Sequence, residues 1–269
     1  LLWGALATRA FGQPILPTEF SYLLYRNGLL IQKLASSITT YKDTGLTAFT
    51  KYTYSIRVVA SNDTSIQRIA VGYSGGARQP APGILLSAKG NDDNSVKLTV
   101  QIPRLRADSI TPFVNAAKVA IYRDTLFVGD ATISQSDTGK IVVVTDNPSE
   151  RGWYRYYVAV KDAETPSNQS EVSNSILCYT GIVETAYSEN FDSPKLPHYY
   201  KSAKWGIASF AKSPNGSLSE SPTGQYSTNA RDTFMLFPMR NNVDSKIQCS
   251  FWHAAIIDPS DSGFVEVSR

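Results

Sequence analysis

Two stretches of the chain repeat one pattern, and this repeat constrains the fold more than any other feature. Tyr25-Arg26-Asn27-Gly28 is followed, after a polar span, by an alternating run at residues 52–58. Tyr122-Arg123-Asp124 is followed in the same way by a run at residues 154–160. In both runs every second residue is tyrosine or aliphatic, which is the period of a half-buried β-strand. A unit of about 100 residues holds one hydrophobic core, so the repeat predicts small β-sandwiches in tandem.

The composition agrees with strands and gives no sign of a strongly charged partner. The 269 residues include 15 tyrosines and only 2 methionines, a bias that suits pleated, half-buried surfaces. Lysine and arginine number 26 against 23 acidic residues, and the net charge of +3 is dispersed along the chain. A basic face for nucleic acid is therefore not expected. No apolar run approaches the roughly 20 residues that a membrane span needs.

Breaks in the pattern divide the chain into three predicted domains. Pro80-Ala81-Pro82-Gly83 is the clearest boundary, because proline does not donate to a strand ladder and stiffens a linker. It separates a first domain, residues 1–80, from a second, residues 83–180. Further on the repeat does not return, so residues 187–269 are predicted to form a different domain. Residues 104–115 have no counterpart in the first domain and are predicted to be a surface loop.

The alternation also predicts individual strands and the side chains that fill each core. Beyond the two repeated runs, strands are predicted at residues 1–7, 20–25, 96–102, 118–123, 171–176, 234–238, 247–252 and 263–267. Asn27 and Gly28 tolerate positive φ, which predicts a hairpin turn. Trp3 is predicted to fill the core of the first domain. Because the second domain has no tryptophan on its 96–102 strand, we expect Trp153 or Phe127 to fill its core.

Residues 1–180 resemble fibronectin type III domains. Leu46, Thr50 and Tyr52 have the spacing of that family's tyrosine corner, in which the tyrosine hydroxyl bonds back to the turn before its strand. Trp3 matches the family's core tryptophan. The resemblance implies two tandem immunoglobulin-like sandwiches. The first would lack the family's opening strand, which we interpret as a sign that the chain is a segment of a longer protein.

Residues 187–269 resemble the N-terminal half of the jelly-roll adhesion domains of secreted bacterial peptidases and adhesins, the MAM and cleaved-adhesin group. The residues that carry this resemblance are Glu189-Asn190-Phe191-Asp192, Trp205, Phe237-Pro238, Ser250-Phe251-Trp252-His253 and the run from Asp261 to Ser268. The fold class expected for the whole chain is thus all-β, with two tandem fibronectin type III sandwiches and a partial jelly-roll sandwich.

Recognisable catalytic motifs are absent from the sequence. The two histidines, His198 and His253, lie near no nucleophile and acid in a known spacing, and no lipase-type serine motif, zinc-protease motif or phosphate loop occurs. We therefore expect a chain that is not an enzyme and that uses no cofactor, a structural calcium ion excepted. Cys178 and Cys249 fall in different predicted domains, so two buried free thiols are expected rather than a disulfide.

The jelly-roll resemblance implies a calcium ion near the first strand of the third domain. Calcium prefers hard oxygen ligands, and the candidates are Glu189, Asp192, Asp258 and Asp261. Their spacing is not that of a known calcium loop, and solvated loop carboxylates are the alternative.

Aromatic residues of the third domain offer a second candidate site. Sugar rings stack on aromatic faces, and Tyr199, Tyr200 and Trp205 are the candidates for such a platform. Packing of these rings in the core is the alternative. On the long strand of the second domain, Trp153 and Tyr157 alternate with Arg155 and Lys161, which predicts either a partner-binding stripe or packing on a neighbouring domain.

Together these features favour a non-catalytic segment of a multidomain extracellular or cell-surface protein, with a bacterial source indicated by the jelly-roll resemblance. The first two domains would act as spacers, and the third would bind or anchor a protein or glycan partner. In an assembly, edge strands such as residues 1–7 would be the docking points. The alternative is the accessory, substrate- or carbohydrate-binding region of a secreted hydrolase whose catalytic domain lies outside this segment.

Overall fold

The structure, a computed structural model, describes residues 1–61, 63–193, 196–201, 205–212, 215–225, 231–240, 248–254 and 262–266. Contacts divide the chain into two compact units. The first comprises Leu1–Lys89, Val96–Asp146 and Arg155–Cys178, and the second comprises Gly90–Ser95, Asn147–Tyr154 and Tyr179–Arg269. Almost all regular structure in the described residues is β-strand, which confirms the predicted all-β class. The predicted boundaries of the three domains stay a prediction.

Sixteen strands and two short 3-10 helices occur in the described residues. The helices are Pro17–Glu19 and Gln135–Asp137. The strands are β1 Ser21–Arg26, β2 Leu29–Ala35, β3 Lys51–Ala60, β4 Asp63–Thr64, β5 Arg68–Tyr73, β6 Ile84–Gly90, β7 Val96–Gln101, β8 Ala116–Arg123, β9 Leu126–Thr132, β10 Ile141–Asp146, β11 Gly152–Asp162, β12 Ile176–Thr180, β13 Tyr200–Lys201, β14 Gly206–Ala208, β15 Ser217–Ser219 and β16 Phe234–Met235.

The first sandwich is built on one large antiparallel sheet. Its strands follow the order β2-β1-β3-β4, and β5 also pairs with β3. The β1–β2 hairpin turns at Asn27 and Gly28, whose φ angles of 49° and 82° confirm the predicted turn. The opposite layer is short: Leu2 forms an isolated antiparallel bridge with Thr40, and the strand predicted at residues 1–7 does not extend further. Further along, the Leu6 amide donates a hydrogen bond to the Tyr22 hydroxyl instead of to a neighbouring strand.

The core of the first sandwich collects around three buried residues, Ile15, Phe20 and Tyr22. The partly buried side chains that pack against them are Trp3, Leu6, Leu34, Ile56, Val58 and Ala60. The ring of Trp3 meets that of Tyr22 edge-on at 5.7 Å between centroids. Trp3 thus takes the predicted core position.

The second sandwich has two facing sheets, β10-β7-β6 and β12-β11-β8-β9. Alternate residues of β7 and of β11 are buried, as their sequence period requires. The prediction that Trp153 or Phe127 fills this core is wrong, because Phe127 is 53% exposed and Trp153 is only half-buried. Phe113, which is 1% exposed, occupies the core instead and comes from the 104–115 insertion. The insertion is therefore not simply a surface loop.

The closing strand of the second sandwich begins later than predicted. Residues 171–176 were expected to form it, whereas β12 covers Ile176–Thr180. Serine side chains replace the regular ladder in the preceding segment: the amide of Val160 donates to Ser170 Oγ and that of Val158 to Ser173 Oγ. Hydroxyls that bond to backbone amides compete with strand pairing, so the strand is interrupted there.

A partly buried Arg-Asp-Tyr cluster explains why the arginine of the signature is repeated. In the first sandwich Arg26 Nη1 lies 3.0 Å from Asp43 Oδ2, which also accepts a 2.7 Å hydrogen bond from the Tyr54 hydroxyl. In the second sandwich Asp146 Oδ2 accepts hydrogen bonds of 2.8 Å from Arg123 Nη1 and from the Tyr156 hydroxyl. Asp43 is thereby hydrogen-bonded to β1 and β3, and Asp146 on β10 is hydrogen-bonded to β8 and β11 of the facing sheet.

The residue that follows each signature arginine has a second structural task. Asn27 Oδ1 accepts the amide of Thr53, and Asp124 Oδ1 accepts that of Arg155, both at 2.9 Å. These bonds dock each hairpin turn on the neighbouring long strand. Asparagine and aspartate both have a short side chain with an oxygen that accepts a hydrogen bond. The first repeat can therefore have Asn27 where the second has Asp124.

Tyrosine corners close both long strands. The Thr47 amide donates to the Tyr52 hydroxyl at 3.1 Å, as the spacing of Leu46, Thr50 and Tyr52 predicts. The hydroxyl of Tyr154 donates to the carbonyl of Glu150 at 2.9 Å, a second corner that the sequence reading missed. Each bond contributes about 1 kcal/mol.

The buried tyrosines predict a loss of stability in alkali. Burial, followed by the hydrogen bond to Asp43, raises the pKa of Tyr54 from 10.0 to about 12. The same two causes raise the pKa of Tyr156 further. Below about pH 10 both tyrosines are neutral in the folded and unfolded states. As the pH rises above about 10, only the unfolded state ionises, and stability falls by up to about 1.4 kcal/mol per pH unit for each tyrosine.

Urea midpoints measured between about pH 8 and about pH 11 would show this fall. Tyr54→Phe removes one ionisation and should flatten the slope, whereas an unchanged slope in that variant would contradict the assignment of alkaline unfolding to Tyr54.

The second unit contains short strand pairs around an aromatic cluster. β13 pairs with β16, and β14 with β15. Three predictions fail here: the strand expected at 234–238 is reduced to β16, and the described parts of 247–252 and 263–267 form no strand. A strand needs a hydrogen-bonded neighbour, and alternation alone does not supply one. Phe251, Trp252, Phe264 and Val265 are accordingly exposed.

Candidate functional site

The joint between the two sandwiches is held by the 104–115 insertion. The linker backbone bonds to it at two places, from the Ala81 amide to the Leu105 carbonyl at 3.1 Å and from the Ala107 amide to the Gln79 carbonyl at 3.0 Å. Just before the linker, the Ala77 amide donates to Asp108 Oδ2 at 2.9 Å. The insertion is therefore hydrogen-bonded to the chain on both sides of Pro80.

Asp108 is the centre of this joint. Its Oδ1 accepts the amides of Ile110 and Thr111 at 3.0 and 2.8 Å, and its Oδ2 accepts the Thr111 hydroxyl at 2.6 Å. Burial alone would raise the pKa of Asp108, but these hydrogen bonds and that from Ala77 outweigh it and lower the pKa below its ordinary 3.8. The stabilisation is thus complete above about pH 4 and is lost as the pH falls further.

A groove of about 880 Å³ lies beside the joint. It runs between the C-terminal half of β5 and the insertion, with Val71, Tyr73, Pro82 and Ile110 among its walls. Lys51 and Glu171, which also line the groove, form an ion pair of 2.6 Å between Nζ and Oε1. Both side chains are exposed, so this pair adds little to stability.

A second cavity, of about 650 Å³, lies within the second unit. Its walls carry the acidic residues Asp92, Glu150 and Glu189 and the rings of Tyr187, His198 and Phe237. The cation in its wall, Arg151, is paired with Glu184 at 2.7 Å and lies over the ring of Phe237 at 5.0 Å. The hydrogen bond to Glu184 raises the pKa of Arg151. Because this guanidinium is already paired with Glu184, it stabilises the wall of the cavity and is not free to bind an anion.

Two of the four calcium candidates can be placed. Glu189 serves the aromatic cluster: its Oε2 accepts the hydroxyls of Tyr187 and Tyr199 at 3.0 and 2.8 Å. Asp192 Oδ1 accepts the Asn215 amide at 3.2 Å. Asp258 and Asp261 lie outside the described residues. Among the described residues no three acidic, histidine or cysteine side chains converge as a metal site, and the calcium ion stays a prediction.

Of the platform candidates, Tyr199 and Trp205 meet around Phe234. Tyr199 is 4% exposed, and its ring lies 4.5 Å from that of Phe237 and 5.2 Å from that of Phe234. Burial raises its pKa to about 12. The Trp205 ring is 5.5 Å from Phe234, and Tyr200 lies on β13. Tyr199 therefore follows the packing alternative, because a sugar has no access to its faces.

Both aromatic residues of β11 pack against other rings of the chain. Trp153 packs edge-on against Tyr179 at 5.6 Å, and its indole nitrogen donates to the Leu236 carbonyl at 2.9 Å. Tyr157 instead stacks on Tyr122 at 5.7 Å with 19° between the ring planes. Tyr122 belongs to the repeated signature, but its contact with Tyr157 was not predicted from the sequence.

The histidines and cysteines take structural positions. His198 lies edge-on to Tyr154 at 4.3 Å, and its carbonyl accepts the Trp153 amide at 2.8 Å. His253 lies 5.9 Å from Phe251. Both cysteines are free, as predicted, but only Cys178 is buried, and burial raises its pKa to about 11. The prediction that Cys249 is buried is wrong, because the strand expected around it does not form.

In the part of the chain that the structure describes, no helix has the length and apolar character to cross a bilayer.

Three similar solved structures are arrays of fibronectin type III modules. The fibronectin(III)-like modules of CbhA from Clostridium thermocellum are 16% identical, with 60% of this chain and 77% of that chain covered and a TM-score of 0.28. A segment of two fibronectin type III domains from chicken tenascin is 17% identical, with 60% of this chain and 84% of that chain covered and a TM-score of 0.25. The central fibronectin-III array of RIM-binding protein is 16% identical, with 63% of this chain covered and a TM-score of 0.24. This chain covers 60% of that array, which is less than two thirds of its length. No family model and no curated protein matches the chain.

Proposed function

We propose that this chain is a non-catalytic segment of a multidomain extracellular or cell-surface protein. In it the two sandwiches serve as a spacer of fixed geometry, and the part after residue 187 serves to bind or anchor a protein or glycan partner. The observation that carries the proposal is the set of hydrogen bonds that joins the linker and the residues just before it, Ala77 to Ala81, to the insertion on the second sandwich.

A spacer of fixed geometry requires that its two modules hold one orientation. Short linkers between domains usually permit relative motion unless an interface restrains them. Here the restraint is built from hydrogen bonds of the linker backbone itself, and the Lys51–Glu171 pair adds a second point of contact. Proline at positions 80 and 82 reduces the freedom of the linker further.

The proposal is tested by measuring the distance between the sandwiches with paired spin labels. Labels at Lys33→Cys and Thr145→Cys, both at exposed positions, would be introduced with Cys249→Ser to remove the other exposed thiol. We expect one narrow distance distribution. Asp108→Ala removes the hydrogen bond that ties Ala77 to the insertion and the three that shape the insertion itself, about 1–3 kcal/mol in all, and should broaden the distribution.

Asp137→Ala is the matched control. Asp137 is also a loop carboxylate that accepts a backbone amide, that of Ser134, but it lies outside the joint. The distribution should stay narrow in this variant. A broad distribution in the unmodified joint, or one that Asp108→Ala leaves narrow, would contradict a spacer held by Asp108.

A further inference from the structure

The cavity of about 650 Å³ in the second unit collects carboxylates from three separate parts of the sequence. Asp92 comes from the turn between β6 and β7, Glu150 from the turn before β11, and Glu189 from the segment after β12. Asp92 and Glu150 are exposed, and Glu189 is half-buried. The volume lies in the range of ligand pockets, so the cavity has room for a long side chain.

Carboxylates outnumber cations in this lining. Among the described residues that form it, Arg151 is the one basic side chain besides a histidine, and it is already paired with Glu184 at 2.7 Å. The negative charge reaches the half-buried Tyr179 nearby. Burial raises the pKa of Tyr179, and after the opposing charge of Arg151 the charges of Glu184 and Asp92 raise it further. The lining therefore favours a cationic ligand over an anionic one.

The arrangement of these carboxylates suits an organic cation better than a metal ion. Calcium draws its oxygen ligands to within about 2.6 Å of one point. Among the described residues no three acidic, histidine or cysteine side chains converge in that way. A guanidinium needs no such convergence, because its five N–H donors form a planar fork that reaches separate acceptors. Carboxylates placed around a wide cavity are therefore better matched to a guanidinium.

The wall of the cavity already holds one guanidinium of this chain. Arg151 pairs with Glu184 and lies over the ring of Phe237 at 5.0 Å, and the hydrogen bond to Glu184 raises its pKa. A carboxylate next to an aromatic ring is thus a combination that binds a guanidinium here. The same combination recurs at Glu189 and Tyr187, which both line the cavity and are hydrogen-bonded to each other at 3.0 Å.

Glu189 is held in place for such a contact. Its Oε2 accepts the hydroxyls of Tyr187 and Tyr199, and its Oε1 accepts the amide of Phe191 at 2.9 Å. A side chain that is fixed before the ligand arrives loses little conformational entropy on binding. A carboxylate has about four acceptor positions, so three hydrogen bonds leave it able to accept another from a ligand.

We propose that this cavity binds an arginine side chain of a partner protein. The inference rests on the function proposed above and assigns its partner, which is a protein with an exposed arginine rather than a glycan. The exposed carboxylates of Asp92 and Glu150 attract the guanidinium, which lies beside Tyr187 and donates a charge-assisted hydrogen bond to Glu189. Ile182, which is 60% exposed and also lines the cavity, contacts the methylene groups of the arginine.

An arginine within a polypeptide matches the cavity better than free arginine or a neutral glycan. Free arginine carries an α-carboxylate, which the carboxylates of the lining repel and which the paired Arg151 does not compensate. A neutral glycan gains nothing from the negative charge, and the rings of Tyr199 and Phe237 are buried and offer it no face. The peptide-borne guanidinium uses both the charge and the shape of the site.

An NMR titration of the full chain tests the proposal. The probe is a tripeptide with arginine between two glycines, acetylated and amidated so that its termini carry no charge. We expect saturable shifts of amides around the cavity and binding that weakens as salt is added. The same peptide with citrulline in place of arginine keeps the shape without the charge and should bind at least about fivefold more weakly.

Asp92→Asn should weaken binding of the arginine peptide about threefold or more, with the melting temperature unchanged because Asp92 is exposed. Asp93→Asn is the matched control. Asp93 lies in the same turn and loses the same charge, but its Oδ1 accepts the amide and the hydroxyl of Ser95 at 2.9 and 2.6 Å, and it does not line the cavity. This control should bind the peptide as the unmodified chain does.

The absence of saturable shifts up to about 10 mM peptide would overturn the inference. Equal binding of the citrulline peptide, equal effects of the two substitutions, or calcium ions that compete with the peptide for the same amides would also overturn it. The spin-label distances report on the spacer separately. A chain with a narrow distance distribution that binds no arginine peptide loses this inference alone, whereas a broad distribution contradicts the spacer whatever the peptide does.

Discussion

Replacing Asp146 by alanine should destabilise the second sandwich by about 3 kcal/mol. Its Oδ2 accepts hydrogen bonds from both Arg123 and Tyr156, and Tyr156 has no exposed surface. Removal of the carboxylate leaves a partly buried guanidinium and a buried phenol without this shared acceptor. Since β10 lies in one sheet and β8 and β11 in the other, the substitution also cuts the polar tie between the two layers.

Urea denaturation followed by fluorescence would measure the loss. Asp43→Ala is the equivalent change in the first sandwich and should be costly for the same reason. Asp130→Ala is the control, because among the described residues Asp130 pairs only with Lys118 and Lys161 and accepts no hydrogen bond from a buried phenol; its loss should cost less than about 1 kcal/mol. Equal effects of Asp146→Ala and Asp130→Ala would show that burial does not strengthen the cluster.

The repeat in the sequence predicted the parts of the fold whose signal is local. The hairpin at Asn27-Gly28 and the alternation of Tyr52 and Tyr54 each arise from neighbours in sequence, and the structure has both. The partner of Tyr54 could not be read in the same way. Asp43 is separated from it by a polar span, and only the folded sandwich brings the carboxylate between Tyr54 and Arg26.

The 104–115 insertion shows what periodicity cannot reveal. It has neither strand nor helix period, so it was predicted to lie on the surface. Its apolar residues divide in the structure, with Phe113 buried and Ile110 exposed. The difference depends on tertiary contacts, and Asp108 likewise becomes the centre of the joint only through the distant amide of Ala77.

The candidate site residues after residue 187 were chosen because carboxylates bind calcium and aromatic rings stack on sugars, not because the sequence showed where they lie in the fold. Tyr199 and Glu189 do come together, but through the hydrogen bond of the phenol to the carboxylate rather than as separate sugar and calcium sites. The sequence signal for a buried tyrosine and for a sugar-stacking tyrosine is the same. Burial, which sequence does not display, decides between them.

Phe113→Ala should destabilise the second sandwich by about 3–5 kcal/mol, the range for removing a fully buried phenylalanine. Its ring is 1% exposed, and it lies in the core of a sandwich that has no tryptophan on β7. The substitution removes apolar contact and leaves a cavity that two hydrogen-bonded sheets cannot collapse to fill. Calorimetry of the full chain should show the transition of this sandwich at a markedly lower temperature.

Phe127→Ala is the matched control, since Phe127 lies on β9 of the same sandwich but is 53% exposed. Its removal should cost less than about 1 kcal/mol, chiefly through its contacts with Tyr122 and Lys161. Phe113→Leu should fall between the two, because it keeps most of the buried volume. A larger loss for Phe127→Ala than for Phe113→Ala would mean that β9, and not the insertion, supplies the aromatic core of this sandwich.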